Sequence, residues 1–246
     1  MSSMMISNGV PWLGTNSVLV RMLEETDQHE EQIDRHVETL QSGDADGKEA
    51  MRALSRLTSR CLPNYKSNRA AIAQRLLELL SSGTADGKEA AAKALSYLVI
   101  HGSPSIAANG CVEALVTLVT TGAAGGRQQA AEALGSLAYD NAASCAAIVE
   151  AGAIPPLLAL VRSGAAGGQE AAAAAFANLT HNAANRVAIA EAGVIPSLVE
   201  LVRNGEAGGQ EEAAKALCNL AAGGEVTIFT EIFAAGGAEA LEALLV

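Results

Sequence analysis

The sequence predicts an all-α solenoid, a fold in which short helical units stack side by side. Two observations lead to this prediction. Aromatic residues make up only 3% of the 246 residues, so the helices are expected to pack closely through small side chains. The string Gly-x-x-x-Gly also recurs at a period near forty residues, which is typical of helical repeats that bury apolar surface only against their neighbours. The strings begin at Gly43, Gly83, Gly122, Gly164 and Gly205.

Residues 185–222 contain the most complete unit, which predicts three helices. The first helix covers 185–193, and Gly193 stops it in the left-handed conformation that glycine adopts at low cost. The second follows with Pro196 in its first turn, where a missing N–H costs nothing, and ends at Gly205. The third is expected from about Gln210 to Ala222. Its predicted buried stripe consists of Ala213, Ala216, Leu217 and Leu220.

The two ends of the chain depart from the repeat. Residues 1–15 are expected to be a disordered arm, and residues 16–42 a helical cap of one or two helices that includes the degenerate start of the first repeat. The repeat array is predicted over 43–222. Residues 223–246 match a first and a second helix without a third, so they form either a C-terminal cap or a truncated unit. Phe229 and Phe233 are expected to add packing there.

Composition excludes several classes of function. A net charge of −11, from 16 basic and 27 acidic residues, argues against a protein that coats nucleic acid. The four widely spaced cysteines predict small buried side chains rather than a disulfide framework or zinc site. Neither a signal peptide, a transmembrane run nor a lipid anchor is recognisable, so we expect a cytoplasmic protein, with a nuclear location left open.

No catalytic constellation is recognisable, and we expect neither an enzyme nor a cofactor or metal site. The glycine strings lack the Lys-Ser/Thr ending of a phosphate-binding P-loop and recur with the repeat, which favours a turn between helices. His29 and His36 lie seven residues apart in an acidic segment without further ligand spacing, which favours a solvated helix. His101 and His181 are expected on the surface.

Two long stretches carry a family resemblance. EAGAIPPLLALVRSG (150–164) and EAGVIPSLVELVRNG (191–205), each followed by an alanine-rich helix ending in A-N-L or C-N-L, resemble armadillo repeats. The resemblance is strong over about 105–245 and weaker upstream, and its style is similar to the arrays of plant U-box ubiquitin ligases and fungal vacuolar scaffolds. It implies a right-handed superhelix of three-helix units whose third helices line a concave protein-binding surface.

The resemblance also implies positions for a ladder of asparagines that holds an extended peptide. An Asn side chain offers a peptide group both a donor and an acceptor. Only the last two ladder positions are Asn here, and the ladder consists of Arg56, Tyr97, Ser136, Asn178 and Asn219. Importin-α arrays carry Trp four residues earlier, where this chain has none, which argues against recognition of basic nuclear-import signals. Those positions are Arg52, Lys93, Glu132, Ala174 and Lys215.

A basic stripe in the first repeat has two interpretations. Like charges four residues apart destabilise a helix by about 0.2–0.5 kcal/mol per pair, so the clustering of these basic residues needs an explanation. Its members are Lys48, Arg52, Arg56 and Arg60. In one interpretation the stripe attracts an acidic segment of a partner. In the other, internal acids neutralise it, and Lys93 and Lys215 pair with Glu89 and Glu211. The acids concerned are Glu24, Glu25, Asp27, Glu30, Glu31 and Asp34.

These observations predict a non-catalytic protein-interaction scaffold that captures an extended segment. Asn178 and Asn219 would hold its backbone, and Arg52, Arg56 and Lys93 would favour acidic side chains. The remaining candidate positions are Tyr97, Glu132, Ser136 and Lys215. Alternatives are the substrate-recruiting adaptor of a larger assembly such as a ubiquitin ligase, a nuclear transport receptor and a membrane-tethered scaffold. The oligomeric state stays open, because the C-terminal leucines could pair with a second copy.

Overall fold

The structure, a computed structural model, describes residues 28–41, 47–59, 62, 64–101 and 110–244. All regular secondary structure in these ranges is helical, and no strand occurs in them. The all-α prediction is therefore confirmed. The helices are α1 (28–41), α2 (Gly47–Leu57), α3 (Tyr65–Ser82), α4 (Ala85–Ile100), α5 (Cys111–Thr121), α6 (Ala124–Ala138), α7 (Ala142–Glu150), α8 (Ile154–Ser163), α9 (Ala166–Leu179), α10 (Ala183–Glu191), α11 (Ile195–Asn204), α12 (Ala207–Ala222), α13 (Val226–Ala234) and α14 (Gly237–Ala243).

The helices form three rows. The third helices of successive units (α2, α4, α6, α9 and α12) lie side by side, and the packing of α4 on α6, α6 on α9 and α9 on α12 is the most extensive in the described structure. The second helices (α3, α5, α8 and α11) form another row, and the first helices α7 and α10 contact each other. Each unit thus buries its apolar surface against the next, as the repeat predicted.

Small side chains bring the third helices close together. A β-carbon on Gly135 of α6 would lie 3.3 Å from Cα of Ala175 on α9, so the two backbones almost touch. The alanines that face this layer are fully buried: Ala130, Ala131, Ala133, Ala172, Ala173 and Ala175. The expectation that scarce aromatics imply close helix packing is therefore confirmed.

The α10–α12 unit follows the prediction except at two helix starts. Gly193 has φ +69° after α10, and Pro196 lies in the first turn of α11. Helix α10 starts at Ala183 because Oδ1 of Asn182 accepts a hydrogen bond of 2.9 Å from the Ala184 N–H. Helix α12 starts at Ala207, three residues earlier than predicted, so the second glycine of the string belongs to its first turn.

The glycine strings are packing motifs. Gly122, Gly164 and Gly205 end second helices with an extended backbone, φ −72°, −70° and −77°, rather than the left-handed one that helix-ending glycines often adopt. Space requires glycine here, since a β-carbon on Gly122 would lie 2.6 Å from O and 2.8 Å from Cδ1 of Leu118. The same Cδ1 lies 3.4 Å from a β-carbon built on Gly126. One leucine therefore packs against both glycines of a string.

A second recurring contact ties two of the third helices, α2 and α9, to the next unit. Nδ2 of Asn68 donates to O of Leu57 at 3.0 Å, and Nδ2 of Asn185 donates to O of Leu179 at 3.4 Å. Both asparagines are buried, and both acceptors are the last residues of third helices. The neighbouring arginines repeat the pattern, Arg69 on Thr58 and Arg186 on Thr180. This Asn-Arg pair marks a repeat boundary that the upstream sequence had obscured.

The described ends of the array are helical. In α1, Ile33, Val37 and Leu40 are buried, whereas the arm 1–15 and the rest of the predicted cap lie outside the described residues. Helices α13 and α14 stand where a first and a second helix were expected. The expected packing of Phe229 and Phe233 is wrong, because they are 60% and 63% exposed. Helix α13 buries Ile228 and Ile232 instead, and each Phe is one residue further around the helix.

Candidate functional site

The third helices line a groove made of two adjoining cavities. The first, of about 710 Å³, lies between the ends of α4, α6 and α9, and the second, of about 940 Å³, lies between α6, α9 and α12. Tyr139, Ala174 and Asn178 line both cavities, so they form one continuous depression. Five of the nine predicted site residues line it: Glu132, Ser136, Asn178, Lys215 and Asn219. Neither cavity includes the other four, which lie on α2 and α4.

The two ladder asparagines make the same contact in successive units. Nδ2 of Asn178 donates to O of Gly135 at 2.9 Å, and Nδ2 of Asn219 donates to O of Ala177 at 2.9 Å. Each amide is therefore fixed by the preceding third helix. An amide has two N–H donors and a carbonyl with two lone pairs, so one N–H and the oxygen of each Asn are left for a ligand. Both side chains are half-buried and line the groove.

The earlier ladder positions carry no side-chain amide. Oγ of Ser136 donates to O of Glu132 at 2.9 Å and lies 2.9 Å from Oγ of Ser96. A hydroxyl has one proton, so Ser136 can only accept from a ligand. Tyr97 is half-buried, and its ring centroid lies 4.0 Å from that of His101. A side-chain amide, which offers a peptide group a donor and an acceptor side by side, is thus present only on α9 and α12 among the ladder positions.

The basic stripe is only partly neutralised. Nη1 of Arg52 and Nη1 of Arg56 each lie 3.5 Å from a carboxylate oxygen of Glu49, so two exposed guanidinium groups share one acid. Exposed pairs of this kind contribute about 0–1 kcal/mol. Asp34, one of the acids that would neutralise the stripe in the second interpretation, pairs with Arg75 of α3 at 2.7 Å instead and raises the pKa of that guanidinium. Glu24, Glu25, Asp27, Arg60 and the side chain of Lys48 lie outside the described residues.

The two candidate lysines have different surroundings. Nζ of Lys215 lies 2.8 Å from Glu211, as in the second interpretation of the sequence, and also 2.7 Å from Glu212. Hydrogen bonds to the two carboxylates raise the pKa of Lys215, and the lysine in turn lowers the pKa of Glu211. The expected pair of Lys93 with Glu89 does not form, because the Glu89 carboxylate lies against Gly125 at the start of α6. Within the described chain, Lys93 has no carboxylate within 4 Å.

Three groove residues escaped the sequence prediction. Ile100 and Tyr139 line the first cavity and are 66% and 71% exposed. They occupy equivalent positions, two residues after Leu98 and Leu137. Asp140 follows with φ +49°. It makes the connection between Leu137 and Asn141 one residue longer than the equivalent connection between Leu179 and Asn182. That extra residue was a signal in the sequence, since the repeat is otherwise regular there.

The cysteines follow the prediction in part. Cys111 and Cys145 are buried, and burial raises the pKa of both thiols, that of Cys111 to about 11 with a contribution from Glu113. Sγ of Cys145 donates to O of Ala138 at 3.1 Å. In the next unit, Arg186 takes the place of Cys145 and donates to O of Thr180, which takes the place of Ala138. Cys218 is exposed and lines the groove, contrary to the expectation of a buried side chain. His101 and His181 are exposed, as expected.

No group of three or more His, Cys, Asp or Glu residues in the described part of the chain could hold a metal ion. In the described part of the chain, no single helix is long and apolar enough to cross a membrane. Helices α7 and α8 together have the necessary length and apolar composition, but they are bent by 83° relative to each other.

Comparisons with known proteins agree with this geometry. A family model described as "Armadillo/beta-catenin-like repeat" matches residues 141–181 and 182–222. An engineered protein solved by the Northeast Structural Genomics Consortium is 32% identical, with a TM-score of 0.70 over 87% of this chain and 88% of that one. Computationally designed armadillo repeat proteins for modular peptide recognition are 24% identical, with a TM-score of 0.67 over 85% and 90%.

A further neighbour is a designed armadillo repeat protein in complex with the peptide (KR)4, at 24% identity, a TM-score of 0.68 and coverage of 85% and 90%. None of the curated proteins matches the chain. The matched repeats, the three rows of helices and these neighbours together show a right-handed armadillo-type solenoid. The chain belongs to the armadillo-repeat family.

Proposed function

We propose that the chain is a non-catalytic scaffold that binds an extended segment of a partner protein along the groove of its third helices. One observation carries the proposal. Asn178 and Asn219 hold equivalent positions in adjacent units, each fixed by one hydrogen bond and each with an N–H and an oxygen left for a ligand. Side chains held in this way are preorganised, which lowers the entropic cost of binding. The structurally similar designed armadillo proteins, which were made for peptide recognition or solved with a peptide, support a peptide as the ligand.

The N-terminal part of the surface adds a preference for acidic side chains. Arg52, Arg56 and Lys93 are exposed on α2 and α4, and in the described structure the only carboxylate within 4 Å of their charged nitrogens is that of Glu49. Arginine pairs with carboxylates through two parallel hydrogen bonds, which suits it to such recognition. We therefore assign to this end the acidic residues of the bound segment.

The experiment starts by selecting a ligand. A phage-displayed library of random dodecapeptides is selected on the purified protein, and the best peptide is labelled with fluorescein for anisotropy titration. Replacing both Asn178 and Asn219 by Ala removes hydrogen bonds to two peptide groups, each contributing about 0.5–1.5 kcal/mol. We expect the dissociation constant to rise roughly tenfold or more.

The controls separate binding from folding. Asn178→Ala and Asn219→Ala also remove the bonds to Gly135 and Ala177, so thermal melting is followed for each variant and titrations are made well below the transition. Asn204→Ala, an exposed site on α11 away from the groove, is the matched substitution and should leave the affinity unchanged. If the double variant binds with the affinity of the unmodified protein, the segment does not lie on the ladder.

A further inference from the structure

The side chains that line the floor of the groove are small at α9. Ala174 lies four residues before Asn178 and lines both cavities, so the two cavities meet above a single methyl group. The surrounding floor is equally small, with Gly135 and Ser136 from α6 and Ala171 from α9. The depression is deep at this point because none of these small side chains extends into it.

Two large apolar side chains stand beside this depression. Ile100, at the end of α4, and Tyr139, just after α6, are 66% and 71% exposed and line the first cavity. Val99 and Leu137 complete its apolar wall. Clustered exposed apolar residues next to a concave surface are typical of a binding site, in which a ligand side chain removes them from water. A side chain large enough to contact both Ile100 and Tyr139 would fill the space above Ala174.

The polar rim of the same cavity is acidic. Glu132 and Asp140 line it, and in the described structure neither carboxylate has a Lys, Arg or His nitrogen within 4 Å. Glu132 accepts one hydrogen bond of 3.0 Å from Nε2 of Gln128, a neutral donor. The rim therefore carries two negative charges that the protein leaves uncompensated, unlike Glu211 and Glu212, which share Lys215. A cation from a ligand would be complementary to it.

We propose that this depression is a specificity subsite for a large apolar side chain of the bound segment, next to a Lys or Arg that faces Glu132 and Asp140. The apolar side chain packs on Ile100 and Tyr139 above Ala174, and Asn178 holds the adjacent peptide group. The inference rests on the proposed function and names the class of segment that the groove takes. Such a segment carries Leu, Ile, Met or Phe beside a basic residue at this unit.

The test uses the peptides selected on the unmodified protein. We expect them to be enriched in an apolar residue beside Lys or Arg. Replacing the apolar residue of the best peptide by Ala should weaken binding at least tenfold. Ala174→Trp fills the depression and should also weaken binding at least tenfold, whereas Val187→Trp, on the exposed side of α10, should leave it unchanged.

A charge exchange tests the rim. Replacing the basic residue of the peptide by Glu should weaken binding to the unmodified protein, and Glu132→Lys should restore part of that loss. If Ala174→Trp and the peptide substitutions change the affinity less than twofold while the Asn178 and Asn219 double variant weakens binding about tenfold or more, the groove binds peptides but the subsite is wrong. If neither set of variants affects binding, or if selection yields no peptide, the proposed function is contradicted as well.

Discussion

The side chain of Leu201 lies against Gly205 so closely that a β-carbon on the glycine would be 2.6 Å from Cδ1 of the leucine and 2.5 Å from its carbonyl oxygen. The same leucine approaches Gly209 in the first turn of α12, where a β-carbon would lie 3.3 Å from Cδ1. This relationship recurs with Leu79, Leu118 and Leu160. It explains why the glycine string is the most regular feature of the repeat.

The first prediction concerns the two kinds of glycine in one string. Gly205→Ala places a methyl group against the backbone oxygen of Leu201, which cannot move freely, so we expect a loss of about 1–3 kcal/mol of unfolding free energy. For Gly208→Ala the atoms nearest to the new methyl group belong to the carboxylate of Glu170, a flexible side chain, and the substitution gains helix propensity of up to about 1 kcal/mol. Urea unfolding followed by circular dichroism should show a destabilised Gly205→Ala beside a neutral or stabilised Gly208→Ala. Equal losses would contradict the packing explanation.

The second prediction concerns the buried asparagine that joins two units. Nδ2 of Asn185 donates to O of Cys145 at 3.1 Å as well as to O of Leu179, so Asn185→Ala removes two buried hydrogen bonds to the preceding unit. The expected loss is about 1–3 kcal/mol of unfolding free energy. Asn68→Ala, at the equivalent position of an earlier unit, should behave in the same way, whereas the exposed Asn204→Ala should change stability by less than about 0.5 kcal/mol.

The third prediction concerns pH. Burial raises the pKa of the Cys111 thiol from 9.0 to about 11, so the folded state holds its proton more tightly than the unfolded state. The resulting stabilisation is fully present below pH 9 and is lost as the pH rises from 9 to 11. We expect the unfolding free energy of the unmodified protein to fall more steeply over this interval than that of Cys111→Ala. Parallel slopes for the two proteins would show that the thiol does not contribute.

The fourth prediction concerns thiol reactivity. Cys218 is exposed in the groove, whereas Cys111 and Cys145 are buried with raised pKa values, and the thiolate is the reactive form. Brief treatment of the folded protein with iodoacetamide at pH 8, followed by peptide mass spectrometry, should alkylate Cys218 before either buried thiol. A bound groove peptide should slow the reaction of Cys218. Faster alkylation of Cys145 than of Cys218 would contradict the described packing.

The fifth prediction concerns the basic stripe. Replacing Arg52 and Arg56 together by Glu reverses the charge of the N-terminal surface, so binding of a fluorescein-labelled (Asp-Glu)4 peptide should weaken at least tenfold at low salt. The unmodified complex should also weaken as salt is added, because the contacts are exposed. Arg162→Glu, on α8 outside the groove, is the matched control. An unchanged affinity of the double variant would exclude the stripe as an acidic-segment site.

Repetition made the fold predictable, because the glycine strings and the apolar pairs that follow them recur in register. The start of α12 was misplaced, since Gly209 was assigned to the turn although its backbone is helical. The burial of Phe229 and Phe233 was also misjudged, because a residue count cannot show which face of α13 meets its neighbours.

The site was predicted where the family ladder retains Asn, at Asn178 and Asn219, and the structure brings both into one groove. Ile100 and Tyr139 were missed because their exposure depends on how the ends of α4 and α6 lie across the groove. The pairing of Asp34 with Arg75 was missed for a similar reason, since these residues lie on different helices.

A crystal structure of the protein with its selected peptide would show where the bound segment lies. We expect an extended peptide whose main-chain N–H and C=O groups lie within hydrogen-bonding distance of the side-chain amides of Asn178 and Asn219, with its apolar residue above Ala174. A peptide bound to the opposite face, against α7, α10 or α13, would overturn the proposed function.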